Sequence, residues 1–136
     1  MDDRLIFAIL ALIMWGLWGF FPKLATDSMS PKSVLIFQNI AAILVAFLVL
    51  ASVNFKPEIN SKGITFSVIS GMAGTLGGLF FLYSVSKGKA SVAVTITSLY
   101  PVITIMLASL ILKEPITLKQ GIGILFAIIA MVLFSL

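Results

Sequence analysis

The sequence predicts an all-α integral membrane protein with five transmembrane helices. Three observations lead there. Five long apolar stretches fill almost all of the 136 residues, and none carries Asp, Glu, Lys, Arg or His in its middle. Hydrophobic residues make up 60% of the chain and charged residues only 10%, too few to cover the surface of a soluble domain of this size. Backbone groups in lipid must pair within their own segment or in a closed barrel, and these runs lack the alternation of barrel strands, which leaves helices.

A helix rising about 1.5 Å per residue needs roughly 20 apolar residues to cross a hydrocarbon core about 30 Å thick. The first expected span covers residues 5–21. It follows Met1-Asp2-Asp3-Arg4, whose acids oppose the positive start of a secretory signal, and Phe21-Pro22-Lys23-Leu24 offers no small-x-small cleavage site. A retained span is therefore expected. Pro22 and Pro31 bracket the first loop, and the second span follows over residues 34–53. Pro57 and Gly63 punctuate the next loop, before a third span over residues 63–85. Gly88 precedes a fourth over 91–112, and Pro115 a fifth over 118–136. Short loops join them, so residues 1–136 are read as one transmembrane domain without a linker.

Those loops leave no room for a soluble domain, a nucleotide-binding loop or a nucleic-acid patch, and the net charge of +4 is scattered over loop ends. No cysteine means no disulfide, no thiolate nucleophile and no Cys ligand set, and no histidine makes a metal centre unexpected. No cofactor, no metal and no enzymatic activity are expected; the partners are the lipid bilayer and a small-molecule substrate.

Five spans put Arg4, Lys56, Lys62, Lys113 and Lys119 on the N-terminal side and Lys23, Lys32, Lys87 and Lys89 on the other. Excess Lys and Arg in short cytoplasmic loops orients most membrane proteins, and here the excess is one residue. Two readings follow: an N-terminus weakly held in the cytoplasm, or dual topology, in which copies insert both ways and pair antiparallel.

Within the third span Ser70, Gly74 and Gly78 form a small-xxx-small stripe beside Gly71 and Gly77, and the fifth repeats it through Gly123, Ala127 and Ala130. Such stripes let backbones approach closely, inside a protomer or between copies. Polar side chains within spans mark a candidate pathway, because a hydrogen-bonding group facing lipid is costly. On the fourth span Ser91, Thr95, Ser98 and Ser109 share one face, and Thr97, Tyr100 and Thr104 lie roughly opposite. Pro101 offers no amide to the Thr97 carbonyl four residues earlier, which frees that carbonyl for a bend or a substrate contact. Gln38 and Asn39 should face a cavity or a neighbouring helix. Trp15 and Trp18 are neighbours on the first span; Trp15 sits near its centre, where it is read as core packing or a cavity wall. Tyr83 fits an interfacial anchor, and Glu114, next to Lys113, a helix-end ion pair.

The order of motifs toward the C-terminus carries a resemblance. Lys87-Gly88-Lys89-Ala90-Ser91 leads into Ser98-Leu99-Tyr100-Pro101-Val102, then Leu112-Lys113-Glu114-Pro115-Ile116-Thr117, then Gln120-Gly121-Ile122-Gly123. This resembles the EamA domain of the drug/metabolite transporter superfamily, with its G-x-A-S motif, a Pro within the fourth span, a Glu at its end and a Gln-x-x-Gly-type start to the fifth. Trp15-Gly16 and Lys23 also fit. Many members carry two five-helix repeats of opposite orientation, and this chain resembles one repeat.

The resemblance implies a multi-pass transporter of the cell membrane, of bacterial inner or plasma type, working by alternating access at an interface between inverted halves. The second half would be another copy, in an antiparallel homodimer, or a paired five-helix paralogue. The small multidrug resistance family, which this chain resembles more distantly, pairs through its last helix, which makes residues 121–130 an alternative contact. That family relies on a Glu in its first helix, where this chain reads Leu12-Ile13-Met14-Trp15. Export or exchange of a neutral or zwitterionic metabolite or drug is therefore expected, rather than proton-coupled cation export. A lipid or lipid-linked sugar flippase subunit and a non-transporting assembly or regulatory subunit are the alternatives.

Overall fold

The computed structural model describes residues 2–135. Met1 and Leu136, the outer bounds of the expected domain and of its fifth span, lie outside the described residues. Six helices follow in order: α1 (Asp3–Thr26), α2 (Pro31–Ser52), α3 (Ser61–Lys87), α4 (Ala90–Thr97), α5 (Tyr100–Ile111) and α6 (Leu118–Ser135). No strand occurs among the described residues. Helices α1, α2 and α3 and the stretch Ala90–Ile111 are long and apolar enough to cross a membrane, and the last helix is a shorter apolar one. With 18 residues, α6 is about 27 Å long, close to the hydrocarbon thickness.

Two expectations are corrected. Pro22 does not open the first loop but lies inside α1, which continues to Thr26. The extra turn is held by side chains: Thr26 Oγ1 donates to the Pro22 carbonyl at 2.9 Å, and Lys23 pairs with Asp27 at 2.9 Å across one helical turn. The expected fourth span is present as the stretch Ala90–Ile111, but its helix is interrupted, since α4 stops at Thr97 and α5 begins at Tyr100.

The helix ends show how local sequence sets these limits. Asp2 caps α1 by accepting from the Arg4 amide at 3.3 Å, and the Arg4 guanidinium beside it holds the Asp2 carboxyl below its ordinary pKa. Ser30 caps α2 through the Ser33 amide, with Pro31 in the first turn. Asn60 caps α3 by accepting from the Gly63 amide at 2.9 Å. At the end of α2, Asn54 and Phe55 take left-handed conformations, with φ of 54° and 59°. The Asn54 amide then reaches the Ala51 carbonyl and the Phe55 amide the Leu50 carbonyl, both at 3.0 Å. The Phe55 ring folds back edge-on against Phe47, 5.8 Å between centroids. Before α6, Thr117 and Gln120 cap each other: the Thr117 amide donates to Gln120 Oε1 at 2.8 Å, and the Gln120 amide to Thr117 Oγ1 at 3.3 Å.

The chain divides into two compact units, Met1–Lys87 and Gly88–Leu136. In the first, α3 packs against α1 and α2, which also touch each other. Its buried residues are Gly19 and Pro22 near the end of α1, Val34 near the start of α2, and Gly78, Phe81, Leu82 and Val85 near the end of α3. Packing is thus concentrated at the end carrying the α1–α2 turn. Elsewhere the large apolar side chains lie open, as with Leu44, Phe47 and Leu48 on α2 and Phe66 and Ile69 on α3. In the second unit α4 packs against α6, and Ala93 is buried.

Gly78 is the small-stripe residue at which helices meet. A Cβ added there would lie 3.9 Å from Leu35 Cδ1 and 3.9 Å from Trp18 Cζ2, ordinary contact. At Gly71, Gly74, Gly77 and Gly123 the same atom meets nothing within 4 Å. Gly78→Ala should therefore keep or raise the thermal stability of the purified protein, since Ala is favoured over Gly in a helix by about 1 kcal/mol. Gly78→Leu should lower it, by about 1–3 kcal/mol of overpacking against Trp18 and Leu35. Thermal unfolding in detergent checks both.

Candidate functional site

The sequence candidates fall into both units, and each group has its own surroundings. In the first unit Trp18 stacks on Phe81, with ring centroids 5.0 Å apart and planes 23° from parallel, and its edge faces Gly78. It ties α1 to α3. Trp15, one turn earlier, is 62% exposed. Adjacent amides on α2 have different fates. Asn39 Nδ2 donates to the Leu35 carbonyl of its own helix at 2.9 Å. Gln38 is half-buried and lines a shallow pocket of about 330 Å³. Phe21, Pro22 and Ala25 of α1, Met29 of the turn, and Val34, Phe37 and Ala41 of α2 complete its walls.

In the second unit the hydroxyls of the candidate pathway turn to their own helices. Thr95 Oγ1 donates to the Ser91 carbonyl at 2.8 Å, Ser98 Oγ to Val94 at 2.7 Å, and Thr104 Oγ1 to Tyr100 at 3.3 Å. Each keeps its accepting capacity toward a ligand donor. Thr97 Oγ1 bonds back to Ala93 at 2.8 Å. Around Pro101 the ladder shortens: the Leu99 amide reaches Ile96 at 3.3 Å and the Val102 amide reaches Leu99 at 2.9 Å, each only three residues back. Tyr100 and Pro101 are exposed beside this break.

A smaller pocket of about 180 Å³ sits where α5 turns toward α6, lined by Thr104, Ile105, Ala108, Glu114, Pro115, Ile116 and Gln120. Lys113 is left-handed there, at φ 58°, and the Glu114 amide returns to the Ala108 carbonyl at 3.3 Å. Glu114 makes no ion pair among the described residues, so the expected pairing at this helix end is not found; the left-handed turn directs the chain away instead. Ser70, Gly74, Gly123 and Ala127 are exposed. No cluster of His, Cys, Asp and Glu suited to a metal occurs among the described residues. Sequence reasoning missed the two pockets' apolar walls and the Thr117–Gln120 cap; the Thr-x-x-Gln spacing was the available signal for the cap.

The model of the EamA-like transporter family matches residues 4–136. An uncharacterized protein of Methanocaldococcus jannaschii is 34% identical over 136 residues, all of this chain and 98% of that one. Uncharacterized transporters from two Helicobacter pylori strains are 27% and 26% identical over 134 residues, 93% of this chain. The chain spans only 43% of their length. No solved structure matches.

The α4–α5 break attributes a distinct role to Pro101. Pro101→Ala supplies the missing amide to the Thr97 carbonyl and should join the two helices, slowing amide hydrogen exchange across residues 98–102 at least tenfold, given the roughly 3 kcal/mol that an interior Pro costs a helix. Unchanged exchange would show that the Thr97 and Ser98 hydroxyls hold the break by themselves.

Proposed function

The chain belongs to the EamA-like transporter family, and on that premise we propose that it carries a small neutral or zwitterionic metabolite or drug across the cell membrane, by export or exchange. It works by alternating access as an antiparallel dimer of two copies. The observation that carries this reading is the match over residues 4–136 to a transporter family, together with the two lengths of the relatives. The chain matches 98% of the archaeal relative and less than half of each transporter from Helicobacter pylori.

Inverted repeats hold a substrate near the midplane and expose it to either side by rocking. Two oppositely inserted copies supply the same symmetry from one sequence. The basic residues support this, because five against four leaves little to fix one orientation. The polar groups available along the helices support the substrate class. Amides and hydroxyls such as Gln38, Asn39, Thr95, Ser98 and Thr104 interrupt the apolar runs, and no carboxylate lies in the middle of any of them. Trp15, Trp18 and Tyr100 add aromatic surface along the same helices, and Pro101 a point of flexure.

Ser61, the exposed first residue of α3, gives a clean test because the chain has no cysteine. With Ser61→Cys, a membrane-impermeant thiol reagent should label the protein from both sides of the membrane in comparable amounts. Labelling from one side alone would overturn the inverted pair of identical copies and direct the search to an oppositely oriented partner chain.

A further inference from the structure

The α1–α2 pocket joins an apolar wall to one side-chain amide, that of Gln38. The Gln38 side chain makes no hydrogen bond among the described residues, whereas the Asn39 amide beside it donates to the Leu35 carbonyl. No side-chain nitrogen or oxygen is both buried and unpaired among the described residues, so the Gln38 carboxamide is still reachable from the pocket. It lies two helical turns, about 10 Å, inside the start of α2. At that depth a lipid tail offers no hydrogen bond, and head groups stay near the helix ends.

Charge narrows the occupant. No ionisable side chain lines the pocket. Lys23 and Asp27, on the turn of α1 beside Ala25, neutralise each other at 2.9 Å. A charged ligand would lose its hydration without gaining a counter-charge. The carboxamide of Gln38 both donates and accepts, and so is matched by a group that does the same. Phe21, Phe37 and Met29 supply aromatic rings and a polarizable sulfur to the lining, suited to an aromatic body.

We propose that this pocket binds a small uncharged aromatic molecule whose single amide-like group pairs with the Gln38 carboxamide. The ligand's body lies against Phe21, Met29 and Phe37, and its amide exchanges hydrogen bonds with Gln38. The assignment deepens the transport reading by narrowing the substrate to the uncharged class, and it rests on that reading only in calling the ligand a substrate.

Benzamide is the probe, titrated against the full chain in phospholipid nanodiscs and followed by saturation-transfer NMR, with benzoate and benzylammonium as charged counterparts of similar size. Benzamide should bind saturably and more tightly than either ion. Gln38→Leu, which removes both the donor and the acceptor, should weaken it about tenfold or more. Gln38→Asn, which keeps an amide, should retain most of the affinity, and Ala41→Trp, which fills the pocket, should remove it. Helical circular dichroism like that of the wild type establishes that each variant is folded. Absence of saturable benzamide binding by the wild type, equal binding of benzoate, or undiminished binding by Gln38→Leu would each overturn the site. Saturable, Gln38-dependent binding with Ser61 labelled from one side keeps the site and discards the inverted pair; two-sided labelling without such binding discards the site alone.

Discussion

A peptide group in hydrocarbon has no water to bond to, and that single requirement organises the molecule. It forces the apolar runs into helices and makes every proline a local problem to be solved by neighbours. The two interior prolines are solved differently. Pro22 is buried, and the turn after it is held by the Thr26 hydroxyl and the Lys23–Asp27 pair, so α1 passes through. Pro101 is exposed and follows Thr97 and Ser98, whose hydroxyls also bond carbonyls of the preceding turn, and there the helix stops and starts again. The same residue type sits inside a continuous helix in one unit and beside a break in the other.

Packing within the first unit depends on one missing side chain. Gly78 lets Trp18 and Leu35 approach α3, and the Trp18–Phe81 stack lies one turn farther along. Buried residues collect around that contact, while the other ends of α2 and α3 keep large apolar side chains exposed. In a bilayer those side chains face a solvent as apolar as themselves, so exposure there carries none of the penalty it would have in water. The pocket beside Gln38 is found at the packed end, where α1 and α2 are close enough to form walls.

Much of this fold was legible in the sequence, since run length and the lack of interior charge identify membrane-crossing helices with little dependence on tertiary detail. The family was legible too, from the order of Gly88, Pro101, Glu114 and Gln120. Helix limits were less so. Pro22 reads as a terminator unless the Lys23–Asp27 spacing is weighed against it. The candidate site was legible only as a set of residue types. A hydroxyl such as Thr95 or Ser98 can serve its own helix or a ligand, and sequence contains both options until geometry fixes the donor. Gln38 and Asn39 are chemically alike and adjacent, yet one bonds its own helix and the other lines a pocket; the difference is the direction each side chain takes from the helix.

The uneven packing of the first unit has a mechanical meaning. Its contacts gather around Gly78, while Ser61, at the start of the same helix, lies about 25 Å away along α3. A helix held near one end and free at the other is a lever. A small tilt of the Trp18 and Phe81 rings against each other is scarcely felt at the fulcrum and becomes its largest displacement at the far surface, so the end with least packing is the end with most travel.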